Sequence, residues 1–313
     1  MLLKAKTVCL YKKNQSLILM TFVLARFKEN ITIDKEFAES LASELRSNQF
    51  SDGTMLLVAR KVVLESSYTL SYNNPSQVNF PGQYHLVIVA DQLQSKDGEI
   101  GRIDLTGKTG RHPAKQRTGE DGEKAHKIET DEGEEPMGAT GGLDGTNGDP
   151  GGKGWIGNHI KFFCDGLGKI EIFANGGVGG KGGTGGDGGK GGDGANVVIN
   201  HRSERLPPAP GGNGAMGGIG GDGGNAGAIE GLFCTAESGI VFRSTGGPPG
   251  EPGDGGDAGK GGRLQDQHAA DGHPGGKPAI TGIRGSDSTI SLKQVEFSEL
   301  WEKVVTELNI PTG

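Results

Sequence analysis

The chain has 313 residues and a formal net charge of −7, and 60 of its residues are glycine. Its hydrophobic share of 33% is below that of ordinary globular domains, so the composition argues against a large conventional core. The acidic balance, with no basic groove and no interleaved aromatic residues, argues against nucleic-acid binding.

The first apolar segment runs from Ser16 to Ala25 and follows Lys12 and Lys13. It is too short to span a bilayer as a helix, so we expect no membrane span. A basic stretch before a short apolar run is typical of a signal peptide, but no small-x-small cleavage site follows Ala25. The alternative is a first buried strand. The sequence does not fix the compartment, although an extracellular or surface location is favoured.

Two segments predict helices, one near each end of the chain. Residues Asp34 to Arg46 carry apolar side chains at helical spacing, and Asp34 can cap the first turn. A second apolar stripe ends before Pro311. The stripe consists of Phe297, Leu300, Trp301, Val304, Val305 and Leu308. We therefore expect an N-terminal strand and helix cap over residues 1–50, a repeat domain over 51–292 and a C-terminal amphipathic helix over 293–313.

Four segments in the middle of the chain share a pattern of apolar strand, small residue, polar turn and second strand. They begin at Met55, His85, Ile160 and Ile229, and a weaker fifth copy runs from Ala279 to Leu292. Aligned on this pattern, they place small residues in one column, as stacked rungs do where an inward position has little room. The column consists of Ala59, Ala90, Cys164 and Cys234.

This repetition predicts a mainly β fold, either a β-solenoid or layered β-rungs. Within it, the shared column predicts that Cys164 and Cys234 are buried free thiols. A disulfide between neighbouring rungs is the alternative. The odd cysteine count, with Cys9 as the third, provides no disulfide framework.

Glycine recurs at every third position in four tracts, which cover residues 142–157, 176–194, 211–225 and 247–261. A period of three matches the polyproline-II helix, which has three residues per turn and no internal hydrogen bonds. Glycine on two of three faces lets such helices pack side by side and exchange backbone hydrogen bonds. The tracts therefore predict packed polyglycine-II helices between the rungs. The glycines assigned to this packing are Gly176, Gly179, Gly182, Gly185, Gly188, Gly191, Gly214, Gly217, Gly220, Gly250, Gly253 and Gly256.

The third face of each tract indicates what surrounds it. Residues 176–194 carry mainly Lys and Asp on this face, which predicts exposure to solvent. Residues 211–225 carry Met216 and Ile219 there, which predicts coverage by another layer. Residues 115–135 are dense in Glu, Asp and Lys and predict a disordered loop.

Two other structures compete for the glycine tracts. A collagen triple helix needs glycine at every third position and abundant proline, and only the short run from Gly247 has both. Flexible linkers combine glycine with serine without a fixed period, whereas serine is absent from all four tracts.

The tracts together with the strand-turn-strand segments resemble glycine-rich, collagen-like and polyglycine-II repeat proteins. This class includes springtail antifreeze proteins and the receptor-binding adhesins at phage tail-fibre tips. The resemblance rests on composition and period between Met55 and Ile290, and it carries over no motif residue by residue. It implies roles in adhesion, surface structure or ice binding.

Motifs that carry chemistry match the sequence poorly. Gly101 to Gly110 resembles a phosphate-binding loop, but five residues separate Gly101 from Gly107, where the motif has four. Residues 188–196 fit a calcium-binding nonapeptide that any glycine-rich run with Asp also fits. Asp144, Asn147 and Asp149 offer oxygen ligands without the spacing of an EF-hand. The one compact His/Asp cluster is a candidate for a divalent metal, with an exposed loop as the alternative. It consists of His268, Asp271 and His273.

We therefore expect a non-enzymatic structural or adhesive repeat protein that presents a regular surface for binding or assembly and needs no cofactor. Its partner would be a surface, a glycan or another protein, and a homo-oligomer is compatible with the sequence. One alternative is a solenoid that binds or acts on polysaccharide, which carboxylates facing one another across adjacent rungs would favour. Another is an ice-binding protein, which needs short, regularly spaced Thr, Ser or Ala.

Overall fold

The computed structural model describes residues 2–4, 22–49, 52–73, 78, 80–279 and 282–308. Cys9, residues 16–21 of the first apolar run and the helix end predicted at 309–311 lie outside the described residues. The helices are α1 (Lys35–Ser47) and α2 (Phe297–Leu308). The strands are β1 (Leu2–Lys4), β2 (Phe22–Ile33), β3 (Asp52–Leu64), β4 (Thr69–Ser71), β5 (Gln83–Ser95), β6 (Gly101–Asp104), β7 (His126–Thr130), β8 (Gly133–Met137), β9 (Ile160–Leu167), β10 (Ile170–Phe173), β11 (Ala195–Ile199), β12 (Arg202–Leu206), β13 (Ile229–Ala236), β14 (Val241–Arg243), β15 (Arg263–Leu264), β16 (Gln267–His268) and β17 (Ile290–Gln294).

Two sheets, one largely parallel and one wholly parallel, contain 11 of the 17 described strands. The large sheet has seven strands in the order β1-β2-β3-β5-β9-β13-β17, and only its β1–β2 pair is antiparallel. The small sheet has four parallel strands in the order β14-β10-β6-β4. Each of the four predicted rungs supplies one strand to each sheet. The prediction of a mainly β fold is therefore confirmed.

The main hydrophobic core lies between the two sheets. Leu57, Ile88 and Phe162 of the large sheet belong to one buried cluster with residues of the small sheet such as Ile103 and Ile172. Each fully buried side chain of this size stabilises the fold by about 1.5–3 kcal/mol relative to an exposed one. None of the described residues of the glycine tracts belongs to this cluster, so the core stops where the tracts begin.

Both predicted helices are present. Helix α1 starts where expected, because the Asp34 carboxylate accepts a hydrogen bond from the Phe37 backbone N–H at 2.7 Å. Helix α2 lies on the outer face of the large sheet, where Leu300 and Val304 are buried in a second cluster with Phe163. Neither helix is long and apolar enough to cross a membrane, and the described residues contain no other candidate.

The strand register corrects the predicted column of small residues. Ala59 pairs with Ala90, and Ala90 pairs with Cys164, as the repeat predicts. Cys164 pairs with Phe233, however, so the prediction that Cys234 shares this column is wrong. Because side chains alternate between the two faces of a strand, this one-residue offset turns Cys234 to the outer face, where it is partly exposed. Both cysteines are free, and only Cys164 is buried.

Six glycine-containing tracts, two more than the sequence predicts, connect the strands. Tract 1 covers residues 107–125, tract 2 covers 140–157, tract 3 covers 176–194, tract 4 covers 209–227, tract 5 covers 247–262, and tract 6 covers 269–279 and 282–288. The prediction of a disordered loop over residues 115–135 is wrong. Gln116 and Gly122 of tract 1 donate backbone hydrogen bonds to tract 3, and residues 126–137 form the β7–β8 hairpin.

The tracts form two hydrogen-bonded layers. In the odd layer, tracts 1, 3 and 5 lie parallel, as when Gly182 and Gly185 donate to Glu251 O and Asp254 O at 2.8 and 2.9 Å. In the even layer, tracts 2, 4 and 6 are joined in the same way. Bonds between the layers join antiparallel tracts, as when Gly186 donates to Thr146 O at 2.8 Å. The bonds within a layer and the bonds between layers each recur at every third residue of a tract.

Close approach of neighbouring backbones explains the glycines. At each of the twelve glycines that the sequence assigns to packing, an added Cβ would lie 1.8–2.2 Å from a carbonyl oxygen of an adjacent tract. A methyl group does not fit at that distance, so even alanine would push two tracts apart.

The prediction that another layer covers Met216 and Ile219 is wrong. These side chains are 51% and 43% exposed. In the part of the chain that the structure describes, the tracts stack two layers deep, so the outer face of the even layer meets solvent.

Candidate functional site

The residues proposed as metal ligands are not brought together as a ligand set. His268 is exposed in β16. The Asp271 carboxylate accepts hydrogen bonds from the Gly261 N–H at 2.9 Å and from Lys260 Nζ at 3.0 Å. Among the described residues, no group of three His, Cys, Asp or Glu side chains is placed to hold a metal ion.

The candidate calcium ligands are also engaged elsewhere. Asp144 and Asn147 accept hydrogen bonds from the backbone N–H groups of Asn213 and Met216, at 2.6 and 3.1 Å. The Asp149 carboxylate accepts from Gln116 Nε2 at 2.7 Å. These oxygens serve as caps between tracts, which sequence spacing alone did not reveal.

The phosphate-loop resemblance has a structural explanation as well. The N–H groups of Gly107 and Gly110, which such a loop would direct at a phosphate, donate to Asn175 O and Val178 O at 2.9 and 2.8 Å. The calcium-like nonapeptide is similarly committed, since Gly188 and Gly191 donate to tract 5. Both motifs are therefore parts of the hydrogen-bonded layers.

The feature best suited to binding is a groove of about 550 Å³ between α2 and the outer face of the large sheet. Its floor is apolar, with Val58, Val89 and Phe163 contributed by successive strands. One wall is formed by α2, where Phe297 and Trp301 remain 61% and 54% exposed. Large aromatic side chains left this accessible beside a concave surface are unusual in a folded monomer.

A row of charged side chains crosses this groove at one level of the sheet. It contains Glu29, Arg60, Asp91 and Asp165, one from each of four adjacent strands. Arg60 forms ion pairs with Glu29 at 3.7 Å and with Asp91 at 3.5 Å. Asp165 lies on the next strand, at the same level as Asp91. The row therefore sets two carboxylates side by side in the groove that Trp301 also lines.

A shared irregularity in the strands produces this row. Inward-facing residues alternate up to Ala59, Ala90 and Cys164, and the next buried inward positions come three residues later rather than two. At this level, one residue of each strand, the member of the charged row, is left out of the backbone pairing between strands. Aligned irregularities of this kind redirect side chains and are common beside binding sites. The sequence carries a signal for them, since a charged residue directly follows Ala59, Ala90 and Cys164.

Cys234 lies on the next strand, β13, level with Asp165 at the end of the charged row. Burial, with a hydrogen bond to the Asp165 carboxylate as the second cause, raises the pKa of the Cys234 thiol above its ordinary value. The thiol is therefore protonated at neutral pH, which disfavours a nucleophilic role.

In the comparisons with known proteins, no family profile, curated protein or solved structure matches this chain.

Proposed function

We propose that this chain is a non-enzymatic structural or adhesive repeat protein. In this proposal, its six tracts form a bundle of polyglycine-II helices anchored to a short solenoid-like stack of β-rungs. The observation that carries the proposal is a pattern of backbone hydrogen bonds that repeats at every third residue. Tracts 3 and 4 each donate such bonds both to a neighbour in their own layer and to a tract of the other layer. A helix with three residues per turn presents the same face at every third residue, so this pattern supports a threefold backbone. The partners lie in the same chain, which favours a bundle over a collagen trimer or flexible linkers.

The use of polar side chains supports a scaffold rather than an enzyme. Asp, Asn and His side chains on both outer faces accept hydrogen bonds from backbone N–H groups of the next tract. Groups engaged in this way stabilise flat surfaces and are not free to move protons during a reaction. A flat, hydrogen-bonded surface of this kind suits contact with a surface, a glycan or another protein.

The bundle is tested by substituting glycines that differ in their surroundings. A Cβ at Gly185 would lie 2.2 Å from Ala215 O, whereas at Gly276 nothing lies within 4 Å. We expect Gly185→Val to abolish the cooperative thermal transition or lower its midpoint by more than about 10 °C, since it separates two tracts. Gly276→Val is the matched control and keeps the wild-type midpoint. Equal melting of the two variants, followed by circular dichroism, would contradict the packed bundle.

Polysaccharide binding in the groove is a second candidate function. Its supporting observation is the pair Asp91 and Asp165 at one level of adjacent parallel strands, in the groove that Trp301 also lines. Neighbouring strands lie about 4.8 Å apart, so the two carboxylates can accept hydrogen bonds from adjacent sugar hydroxyls. An exposed aromatic ring supplies an apolar face for a sugar ring. Asp91 pairs with Arg60 and Asp165 with Cys234, which favours binding over hydrolysis.

Fluorescence titration tests this second function directly. The chain has two tryptophans, so a Trp155→Phe background leaves Trp301 as the reporter in the groove. Soluble cello-, chito- and malto-oligosaccharides are the probes. Saturable quenching that Asp91→Asn and Asp165→Asn weaken at least about tenfold, with an unchanged melting midpoint, would support the groove. The absence of any saturable response would exclude it for these sugars, and release of shorter oligosaccharides would instead indicate an enzyme.

A further inference from the structure

The outer face of the even layer differs from that of the odd layer. The odd face is dense in charge and carries the ion pairs Lys115–Asp187 and Lys181–Asp254. The even face carries exposed apolar side chains instead, of which Met216 and Ile219 lie on its middle tract. Its exposed apolar side chains are Ile156, Met216, Ile219 and Ile283. Such a patch, framed by polar residues on a flat surface, is typical of a protein interface.

Hydrogen bonds between tracts 2 and 4 show which residues of the two tracts lie side by side on this face. Each such pair is called a level. The Asn213 N–H donates to Asp144 Oδ1 and the Met216 N–H donates to Asn147 Oδ1, so partners are 69 residues apart. The same step continues along the face, because Gly151 donates to Ile219 O and Gly154 donates to Asp222 O. Four successive levels follow from these bonds. They pair Asp144 with Asn213, Asn147 with Met216, Pro150 with Ile219, and Lys153 with Asp222.

If the order of these four levels is reversed, the residues that then face each other are complementary. Reading tract 4 in the opposite direction exchanges Met216 with Ile219 and Asn213 with Asp222. Reading tract 2 in the same way exchanges Asp144 with Lys153, which carry opposite charges. A surface with this property can bind a second copy of itself through a closed, two-fold symmetric contact.

We propose that a second copy of this chain docks on the even face, with tracts antiparallel, about a two-fold axis that crosses tract 4 between Met216 and Ile219. Met216 then packs against Ile219 of the partner subunit at the centre. Asp144 faces Lys153 of the partner subunit at both ends. An axis parallel to the tracts is disfavoured, because it would place Asp222 against Asp222 of the partner subunit.

The size of the face fits this assignment. At about 3.1 Å per residue, a tract spans about 50 Å. Three hydrogen-bonded tracts about 5 Å apart give a width of about 15 Å. The face therefore offers about 750 Å², close to the roughly 800 Å² that each partner contributes to a standard protein interface. The dimer rests on the proposed packing of the tracts, since their regular spacing aligns the two faces.

Charge reversal tests the dimer separately from the bundle. Sedimentation equilibrium of the wild type should show a dimer at micromolar concentration. Lys153→Asp brings two acidic pairs together and should weaken dimerisation at least about fivefold, and Asp144→Lys should do the same through basic pairs. Combining the two restores opposite charges, so dimerisation should return to within about threefold of the wild type. Circular dichroism melting of each variant shows whether the bundle is intact.

The alternative outcomes are distinct. A wild-type monomer at all concentrations, with an intact melting transition, overturns the dimer while leaving the bundle in place. A dimer that neither single charge reversal weakens, or one that the double variant fails to restore while remaining folded, also overturns it. Failure of the bundle itself would appear in the Gly185→Val comparison and needs no dimer measurement. A disulfide gives positive evidence: in a Cys9→Ser, Cys234→Ser background, mixed Asp144→Cys and Lys153→Cys proteins should cross-link under oxidation, whereas Asp121→Cys, on the odd face, should cross-link with neither.

Discussion

The Asp187 carboxylate accepts a hydrogen bond from the Asp257 backbone N–H at 2.9 Å, although the two residues are 70 positions apart in the chain. Its second oxygen forms an ion pair with Lys115 Nζ at 2.6 Å, so one side chain on tract 3 contacts both of its neighbours in the odd layer. Outward-facing N–H groups have no further tract to bond to, and side chains such as Asp187 satisfy them. This need explains why Asp, Asn and His recur on the outer faces.

Asn175 provides a test of this capping at an uncharged side chain. Its Oδ1 accepts hydrogen bonds from the N–H and from the hydroxyl of Thr245, both at 3.0 Å. We expect Asn175→Ala to lower the free energy of unfolding by about 1–2 kcal/mol, because both donors lose their partner. Urea denaturation measures this change. Asn175→Asp keeps an acceptor oxygen and is the control, and a loss equal to that of alanine would argue against capping.

The pKa of Asp187 predicts how the odd layer responds to acid. The Lys115 hydrogen bond, followed by the Asp257 N–H, lowers this pKa below its ordinary value. Because the folded state prefers the ionised carboxylate, its contribution is fully present above the unfolded pKa of about 3.9 and is lost as the pH falls through the folded value. The melting temperature should therefore fall below about pH 4. Asp187→Asn should show a shallower acid dependence, and an identical profile in both proteins would contradict the prediction.

Sequence reasoning identified the tracts in which glycine itself repeats and missed two others. In tract 1, Pro113, Gln116 and Ala125 replace glycine at bonding positions. The period of three is therefore visible in the backbone hydrogen bonds but not in the amino-acid sequence. In tract 6 the step from Gly275 to Gly282 breaks the period of three. Most bonding positions require only an N–H, and Pro113 leaves one bond of the series unmade, so glycine is needed only where backbones approach closely.

The rungs show a similar limit. Local signals such as the Asp34 cap and the apolar stripe of α2 predicted both helices, because caps and helical spacing act within a few residues. The alignment of Cys234 with Cys164 failed because it matched residue type, whereas the structure pairs Ile229 with Ile160, both of which are buried. The groove between α2 and the sheet depends on contacts far apart in sequence, which no local pattern encodes.

The two described cysteines should differ in reactivity. Burial raises the pKa of Cys164 to about 12, and its side chain lies between the sheets, whereas Cys234 is partly exposed on the outer face. In a Cys9→Ser background, we expect a thiol reagent such as iodoacetamide to modify Cys234 in the native state, slowly because its pKa is raised, and Cys164 only after unfolding. Peptide mass spectrometry locates the modified residue. Equal labelling of both thiols in the native protein would contradict the assigned register.

Two glycines on the same side of tract 3 provide the sharpest test of the close approach between tracts. An added Cβ at Gly186 would lie 1.8 Å from Arg117 O, whereas at Gly183 the nearest atom is Ala114 O at 3.1 Å. Position 183 is roomier because it faces Pro113, which has no N–H to donate and holds tract 1 slightly away. Gly186→Ala should therefore destabilise by at least about 2 kcal/mol, at the upper end of the roughly 1–3 kcal/mol typical of overpacking, because the facing backbone is fixed. Gly183→Ala should cost less than about 1 kcal/mol, since a shift of a few tenths of an ångström relieves it. Urea denaturation of the two variants side by side compares these costs, and a reversed order would mean that tract 1 does not lie against tract 3 in this register.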